Sequence, residues 1–298
     1  MAANGGIKVV FHGVRGSYPA PGSDFVIFGG NTACQEIRAG GRLVIFDAGT
    51  GLIGLGRKLL NRGVPPRAAL FLSHCHHDHL GGLLYFKPAY LPATRLSIYG
   101  PRNGNGGIRG ELEKISGAFV HPVPLREMGM EFTCDQLEGG ESVVWSPGED
   151  RPRLERGGAG TAPGDVVVRV LNNSRHPRCG VLNFRLEYAG RSYVYATDVE
   201  GDEETGDPEL ADFARGADLM SHDGQYTSEE YRSGRRGWGH STPLMAIRTA
   251  QLAGVGRLAI IHHDPEYRDV DLLEIEAEAK ALFPDVFLVR EGQEEVID

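Results

Sequence analysis

Histidine and aspartate crowd into one short stretch of the chain, LFLSHCHHDHLGG at residues 70–82. Within it His74, His76, Asp78 and His79 follow an H-x-H-x-D-H spacing, directly after an apolar run. In an extended chain residues i and i+2 project to the same side, so His74 and His76 can face one ion together. Asp78 and His79 lie at the following turn, within reach of a second ion. Imidazole and carboxylate groups suit Zn²⁺, Mn²⁺ or Fe²⁺, so this spacing predicts a metal site.

Further ligands of the same type follow later apolar segments. His176 and Asp198 each come after one such segment, and the stretch LAIIHHD offers His262 and His263. A single histidine or aspartate at a strand end is common and predicts little. All of these positions, however, lie at the carboxyl ends of predicted strands, where open α/β sheets gather their sites.

Short apolar segments rich in β-branched and aromatic residues must position these groups. They predict strands at 7–12, 42–47, 68–73, 95–100, 165–171, 183–188, 192–197, 217–222, 257–262 and 286–289. Amphipathic patterns predict helices at 51–63, 241–254 and 269–283. Strands that alternate with helices favour an α/β fold with mixed sheets. We interpret residues 1–298 as one domain, with a mobile Gly- and Pro-rich loop at 139–165.

Composition limits the partners that the chain can have. A formal net charge of −9 argues against a long polyanion as the general partner, because nucleic-acid binding usually requires a basic face. An anionic substrate would need a local basic patch or a bound metal. The four cysteines are widely spaced and predict a reduced, cytoplasmic protein. No leader and no membrane-spanning run is visible, so no membrane partner is expected.

Several motifs, taken in order, resemble those of the metallo-β-lactamase superfamily. They are FDAGTG (46–51), SHCHHDHLGG (73–82), HP (176–177), YATD (195–198) and IIHHDP (260–265). The resemblance spans most of the chain. It implies an αββα sandwich, in which two mixed sheets are flanked by helices, with a dinuclear metal site at one edge. It also implies two divalent ions, with zinc as the first choice and manganese or iron as alternatives.

The resemblance assigns the ligands residue by residue. One ion would take His74, His76 and His176, the other would take Asp78, His79 and the last histidine, and Asp198 would bridge the two. The strand-then-histidine pattern favours His262 as that last ligand, with His263 as its competitor. Asp47 would orient ligands through hydrogen bonds rather than bind an ion.

The stretch GWGHST at 237–242 resembles the histidine-containing loop of the phosphodiesterase branch, which includes ribonuclease Z and cyclic-nucleotide phosphodiesterases. His240 would then donate a proton to the leaving group, while Asp78 would hold the attacking, metal-bridging hydroxide. Arg235 and Arg236 precede His240 and could attract an anionic substrate. Asn31 is a weaker candidate for substrate binding.

The predicted function is therefore hydrolysis of a small anionic phosphodiester such as a cyclic nucleotide. An RNA-processing endonuclease of the ribonuclease Z type is the alternative, although no transfer-RNA docking arm of that family is evident in the sequence. A thioester hydrolase and a non-catalytic protein that binds metal and a ligand are further alternatives. Likeness to the family also suggests a homodimer.

Overall fold

The computed structural model describes residues 5–63, 65–102, 106–157, 162–177 and 179–298. Within them the chain forms two sheets, whose strands are β1 Ile7–Gly13, β2 Cys34–Ala39, β3 Arg42–Phe46, β4 Arg67–Phe71, β5 Arg95–Pro101, β6 Glu131–Leu137, β7 Glu141–Trp145, β8 Arg153–Arg156, β9 Val166–Asn173, β10 Val181–Tyr188, β11 Arg191–Ala196, β12 Leu219–Asp223, β13 Arg257–Ile261, β14 Val286–Leu288 and β15 Glu294–Ile297. The first sheet has the order β15-β1-β2-β3-β4-β5-β6, and the second has the order β14-β13-β12-β11-β10-β9-β7-β8.

Both sheets are mixed. The first is parallel from β3 to β6, and the second is parallel from β11 to β14. The remaining pairs in each sheet are antiparallel. The parallel strands therefore place their carboxyl ends along one edge of each sheet, where successive polar residues of the chain can meet.

The α-helices of the described residues are α1 Gly51–Asn61, α2 His77–Leu80, α3 Gly107–Ile115, α4 Pro208–Phe213, α5 Ser228–Glu230, α6 Pro243–Ala253 and α7 Asp269–Leu282. α1 and α3 share an apolar cluster with the outer face of the first sheet. α4, α6 and α7 share another with the outer face of the second sheet. No helix among these residues is long and apolar enough to cross a membrane.

The central core lies between the two sheets. Phe46 and Phe71 of the first sheet meet Phe184, Tyr193 and Tyr195 of the second, with ring centroids 5.1–6.5 Å apart in the contacting pairs. All five rings are fully buried. Each large buried side chain of this kind contributes about 1.5–3 kcal/mol, so the core fixes one sheet on the other. The predicted αββα arrangement of two mixed sheets with flanking helices is confirmed.

The predicted long loop at 139–165 is wrong in part. Its residues form β7, which is fully buried, and the exposed edge strand β8. Glycine and charged residues dominate the composition of the whole segment, so the short, apolar-rich sequence of β7 does not stand out as a strand. Charged side chains are also typical of an edge strand, so β8 resembles a loop in sequence. The part of the predicted loop at 158–161 lies outside the described residues.

Candidate metal centre

The backbone brings three carboxyl or imidazole groups to the sheet edge in a strained conformation. Asp47 follows β3, Asp198 follows β11 and His262 follows β13, with φ angles of 60°, 51° and 62°. Positive φ is uncommon for residues other than glycine and costs about 1–3 kcal/mol, and it persists where the surroundings enforce it. Packing of the two sheets therefore holds these side chains at fixed positions.

One cluster contains His74, His76, His176 and Asp198, whose ligand atoms all lie within 4.8 Å of one another. Nε2 of His74 is 3.6 Å from Oδ1 of Asp198. Nε2 of His176 is 3.3 Å from Nδ1 of His76. Three of these side chains are buried and His76 is exposed, so the cluster opens to solvent on the His76 side.

A second cluster contains Asp78, His79, Asp198 and His262. Nε2 of His79 is 3.1 Å from Oδ2 of Asp78 and 3.2 Å from Oδ2 of Asp198. Nε2 of His262 is 3.4 Å and 3.2 Å from the same two oxygens. Asp198 thus turns Oδ1 to the first cluster and Oδ2 to the second, which is the arrangement a bridging carboxylate requires.

The side chains fit a pair of divalent ions. Nε2 of His74 and Nε2 of His79 are buried, and no hydrogen bond of good geometry satisfies either of them within the described residues, although carboxylate oxygens lie 3.1–3.6 Å away. An unpaired buried polar atom is costly, and a ligand bond would satisfy each nitrogen. The seven donors are imidazole nitrogens and carboxylate oxygens, which suits Zn²⁺, Mn²⁺ or Fe²⁺. Their role as metal ligands remains a prediction.

The two clusters differ in electrostatics. Burial lowers the pKa of His74, His76 and His176, so that their rings are neutral and carry free lone pairs at neutral pH. A neutral imidazole is the form that binds a metal ion. The first cluster is therefore ready to accept a cation without losing protons.

Carboxylates dominate the second cluster. Burial alone would lower the pKa of His79, but Asp78, Asp198 and Asp47 outweigh it and hold that pKa well above the usual range. Against burial, mainly Asp198 raises the pKa of His262 to about 9. Burial alone would raise the pKa of Asp78 and of Asp198, but the neighbouring imidazoles hold both well below their usual range. This part of the site stabilises positive charge, whether a protonated ring or a divalent ion carries it.

Asp47 lies behind the ligands and is fully buried. Its Oδ2 accepts hydrogen bonds from Nδ1 of His79 (2.7 Å), the hydroxyl of Tyr195 (2.7 Å) and the hydroxyl of Ser73 (2.8 Å). The bond to Nδ1 leaves Nε2 of His79 free for an ion. These hydrogen bonds support the orienting role that the resemblance implies for Asp47, and that role stays a prediction.

Two glycines allow the backbone to pass close to candidate ligand histidines. A Cβ atom on Gly16 would lie 2.4 Å from Nδ1 of His262, and one on Gly239 would lie 2.5 Å from Nδ1 of His176. Gly239 also has φ +89°, which other residues rarely adopt. Next to Gly16, the backbone N–H of Ser17 donates to Oδ2 of Asp78 (2.8 Å). The loop after β1 therefore packs directly against the second cluster.

His240 lies beside both clusters, with its ring centroid 5.0 Å from that of His262 and 5.6 Å from that of His176. Its Nδ1 donates to Oδ2 of Asp223 (2.7 Å). The sequence interpretation missed Asp223, although this carboxylate ends β12 and so carries the same strand-end signal as Asp198. The Asp223 bond fixes the ring and leaves Nε2 as the nitrogen that can serve a substrate.

His263 does not join the cluster. Its Nε2 donates to the carbonyl of Val289 (3.0 Å), and burial lowers the pKa of its ring to about 3. His262 instead turns toward Asp78 and Asp198. The left-handed backbone of His262 (φ 62°) follows the end of β13, and the two rings face different groups: His262 faces the carboxylates and His263 faces the Val289 carbonyl.

The candidate substrate residues have different surroundings. Nδ2 of Asn31 donates to Oε1 of Glu291 (2.7 Å), so its hydrogen bond goes to a surface turn rather than to a candidate ligand. The Arg236 guanidinium lies 5.7 Å from the ring centroid of Tyr231. Arg235 lies 5.5 Å from the ring centroid of Tyr226, whose ring contacts His240. Arg235 is therefore the candidate that reaches the neighbourhood of the clusters.

Comparison with known proteins agrees with this geometry. Residues 42–263 match the family described as the β-lactamase superfamily domain. The chain is 29% identical over 286 residues to ribonuclease Z from Methanopyrus kandleri, covering 90% of this chain and 95% of that protein. It is 29% identical over 276 residues to ribonuclease BN from Escherichia coli O157:H7, covering 81% of this chain and 85% of that protein.

Solved structures share the fold at low sequence identity. The metallo-β-lactamase fold protein YhfI from Bacillus subtilis matches with a TM-score of 0.69 at 19% identity, covering 98% of this chain and 100% of that chain. Human tRNase Z, short form, matches with a TM-score of 0.64 at 19% identity, covering 98% of this chain and 99% of that one. Yeast PDE1 matches with a TM-score of 0.61 at 13% identity, with the same two coverages.

Proposed function

This chain belongs to the β-lactamase superfamily and is a hydrolase, and from that premise we propose that it is a dinuclear-metal-dependent phosphodiesterase acting on a small phosphodiester such as a cyclic nucleotide. The observation that carries the proposal is the shared carboxylate of Asp198, which turns one oxygen to each of the two clusters. His74, His76 and His176 would hold one ion, and Asp78, His79 and His262 would hold the other.

When bound, the ions would polarise the phosphoryl oxygens and lower the pKa of a water molecule toward about 7. Side chains of the protein would orient the attacking water. Asp78 keeps Oδ2 within 3.1–3.4 Å of both His79 and His262, where it can also accept a hydrogen bond from the attacking water. Its backbone anchor at Ser17 holds that oxygen in place.

His240 would protonate the leaving oxygen. The buried carboxylate of Asp223 accepts the hydrogen bond of Nδ1, so Nε2 is the ring nitrogen left to transfer a proton. An alkoxide leaving group requires such a proton, and general acid catalysis of this kind contributes about 10²–10⁴-fold. The position of His240 between Tyr226 and the two clusters supports this role.

Hydrolysis of bis(p-nitrophenyl) phosphate with added Mn²⁺ or Zn²⁺ tests the proposal. The parent protein should cleave it, and His76→Ala should lose about 10²-fold or more in turnover, because one ligand of the first ion is gone. The adjacent His77→Ala is the matched control, since His77 lies in neither cluster, and it should cleave at the parent rate. A parent protein that binds two ions and cleaves no phosphodiester would instead be a metal- and ligand-binding protein.

RNA processing is the second candidate, and the relatives named ribonuclease Z favour it. A panel of cyclic mononucleotides, cyclic dinucleotides and transfer RNA with an uncut 3′ extension separates the two. Preferential cleavage of a cyclic nucleotide supports the first candidate, and endonucleolytic removal of the extension supports the second.

A further inference from the structure

An exposed aromatic residue stands next to the candidate proton donor. Trp238 is 51% exposed, although it is only two residues from His240. The guanidinium of Arg235 lies 4.4 Å from the ring centroid of Trp238 and 5.5 Å from that of Tyr226. The three side chains form a stack, the aromatic–arginine stack, in which the half-buried cation lies against both rings.

The guanidinium N–H donors of Arg235 have no acceptor among the described residues. Within the described part of the chain it makes no ion pair and no side-chain hydrogen bond, whereas Arg232 on the same turn pairs with Glu203 (2.7 Å). In a chain with a net charge of −9 acidic side chains are plentiful, so an arginine without an acidic partner indicates a cation available to an anionic ligand. Its planar guanidinium offers five N–H donors, a geometry that suits phosphate oxygens.

The segment that carries the stack is held firmly. The carboxylate of Glu200 accepts hydrogen bonds from the hydroxyl of Tyr231 (2.7 Å) and from the backbone N–H groups of Gly237 and Gly239 (2.8 Å each). Three donors on one carboxylate fix the turn on both sides of Trp238. The backbone that carries the indole is therefore ordered before any ligand arrives, which reduces the entropy lost on binding.

The stack is continuous with the candidate metal centre. The Tyr226 ring centroid is 5.9 Å from that of His240, and Nδ1 of His176 donates to the carbonyl of Gly239 (3.3 Å). A substrate whose phosphate lies at the metal centre could therefore extend past His240 and Tyr226 toward Arg235 and the exposed indole. A substituent of that phosphate could lie on the open part of the Trp238 ring.

We propose that the aromatic–arginine stack is a binding subsite for a nucleobase, with Trp238 stacking on the base and Arg235 contacting its phosphate. Each base has a flat π-face, and stacking on an aromatic side chain favours bases without selecting one of them. The inference rests on the proposed function for the position of the phosphate. It adds the residue that would recognise the base of such a substrate, Trp238, which neither the sequence nor the metal centre assigns.

Isothermal titration calorimetry on the metal-loaded protein tests this without turnover. Adenosine 5′-monophosphate should bind the parent protein more tightly than ribose 5-phosphate, which lacks the base. Trp238→Ala should weaken binding of adenosine 5′-monophosphate about 10-fold and leave ribose 5-phosphate within about 2-fold. Trp238→Phe keeps an aromatic face and should retain most of the difference. Arg235→Ala should weaken both ligands to a similar degree.

Two variants serve as controls. Leu252→Ala removes a side chain that is 54% exposed, a fraction close to that of Trp238, at the far end of α6. Arg232→Ala removes a cation of the same turn that already pairs with Glu203. Neither should change the affinity for either ligand. Equal binding of the two ligands by the parent, or parent-like binding of adenosine 5′-monophosphate by Trp238→Ala, overturns the subsite.

The same titrations identify the source of the base and separate this inference from the proposed function. A short oligoadenylate that binds more tightly than the mononucleotide assigns the subsite to an RNA end, and equal affinity assigns it to a mononucleotide. Both results require Trp238 and support the subsite. Base-dependent binding without any phosphodiester cleavage refutes the phosphodiesterase alone, and cleavage without base-dependent binding refutes the subsite alone.

Discussion

Replacement of Asp223 by asparagine tests the proposed proton donor most directly. Asp223 is fully buried, and its carboxylate accepts hydrogen bonds from Nδ1 of His240 (2.7 Å) and from the backbone N–H groups of Gln225 (3.0 Å) and Ser241 (3.2 Å). Asparagine has nearly the same shape but no charge. It can also turn its NH₂ group toward His240, which would leave Nδ1 without a proton and place the neutral ring's proton on the other nitrogen.

The size of the effect follows from the step that His240 performs. If general acid catalysis supplies about 10²–10⁴-fold, the variant can lose up to about 3–5 kcal/mol of transition-state stabilisation. Asp223→Asn should therefore lower kcat about 10²–10³-fold for a phosphodiester with an alkoxide leaving group. For p-nitrophenolate, which leaves without a proton, the loss should stay below about 10-fold.

The assay compares Asp223→Asn, His240→Ala and the double variant on both substrates. If the two residues act as one unit, the double variant should be no slower than His240→Ala alone. Metal content is measured for each, because Oδ2 of Asp223 is 3.7 Å from Nδ1 of His262. Equal losses on the two substrates at full metal content, or multiplying losses in the double variant, would refute the reasoning.

Three other perturbations have defined outcomes. Asp47→Ala should weaken metal binding about 10–100-fold in a chelator competition titration, because His79 loses the 2.7 Å hydrogen bond that orients its ring. Gly16→Ala should lower the bound metal measured by elemental analysis from two ions toward one, because the methyl group would displace His262. Glu36 is buried beside His12; burial alone would raise its pKa, but His12 and a neighbouring arginine lower it from 4.5 to about 2. The ionised Glu36 should stabilise the fold by about 3 kcal/mol above pH 4.5, and this contribution should be lost as the pH falls through 2. The free energy of unfolding of Glu36→Gln, measured with denaturant, should therefore differ from that of the parent at pH 7 and equal it at pH 2.

The spacing of neighbouring residues in the sequence was enough to predict a large part of the candidate site. The H-x-H-x-D-H spacing identified His74, His76, Asp78 and His79, because a strand that ends in a turn brings such near neighbours together in almost any fold. Apolar periodicity identified the strands that precede His176, Asp198 and His262, since β-branched runs of five to eight residues have few alternatives. The sandwich of mixed sheets followed from the resemblance that these ordered motifs carry.

Composition alone gave a wrong interpretation of 139–165. A buried five-residue strand such as β7 obtains its stability from the sheet on which it packs, and no local pattern reports that packing. The exposed charges of β8 suit an edge strand and a loop equally well. Only the pairing of both strands within the second sheet distinguishes the two structures.

The remaining features depend on distances between segments that are remote in the chain. Asp223 reaches His240 because β12 lies between β11 and β13, and the choice of His262 over His263 depends on which side of the strand end faces the other sheet. Glu200 acquires its role by accepting bonds from a turn more than thirty residues away. A sequence fixes which donors and acceptors exist and how near neighbours are spaced. The order and register of the strands fix which of those groups come within bonding distance, because hydrogen bonds and metal ligation act over about 2–4 Å and not along the chain.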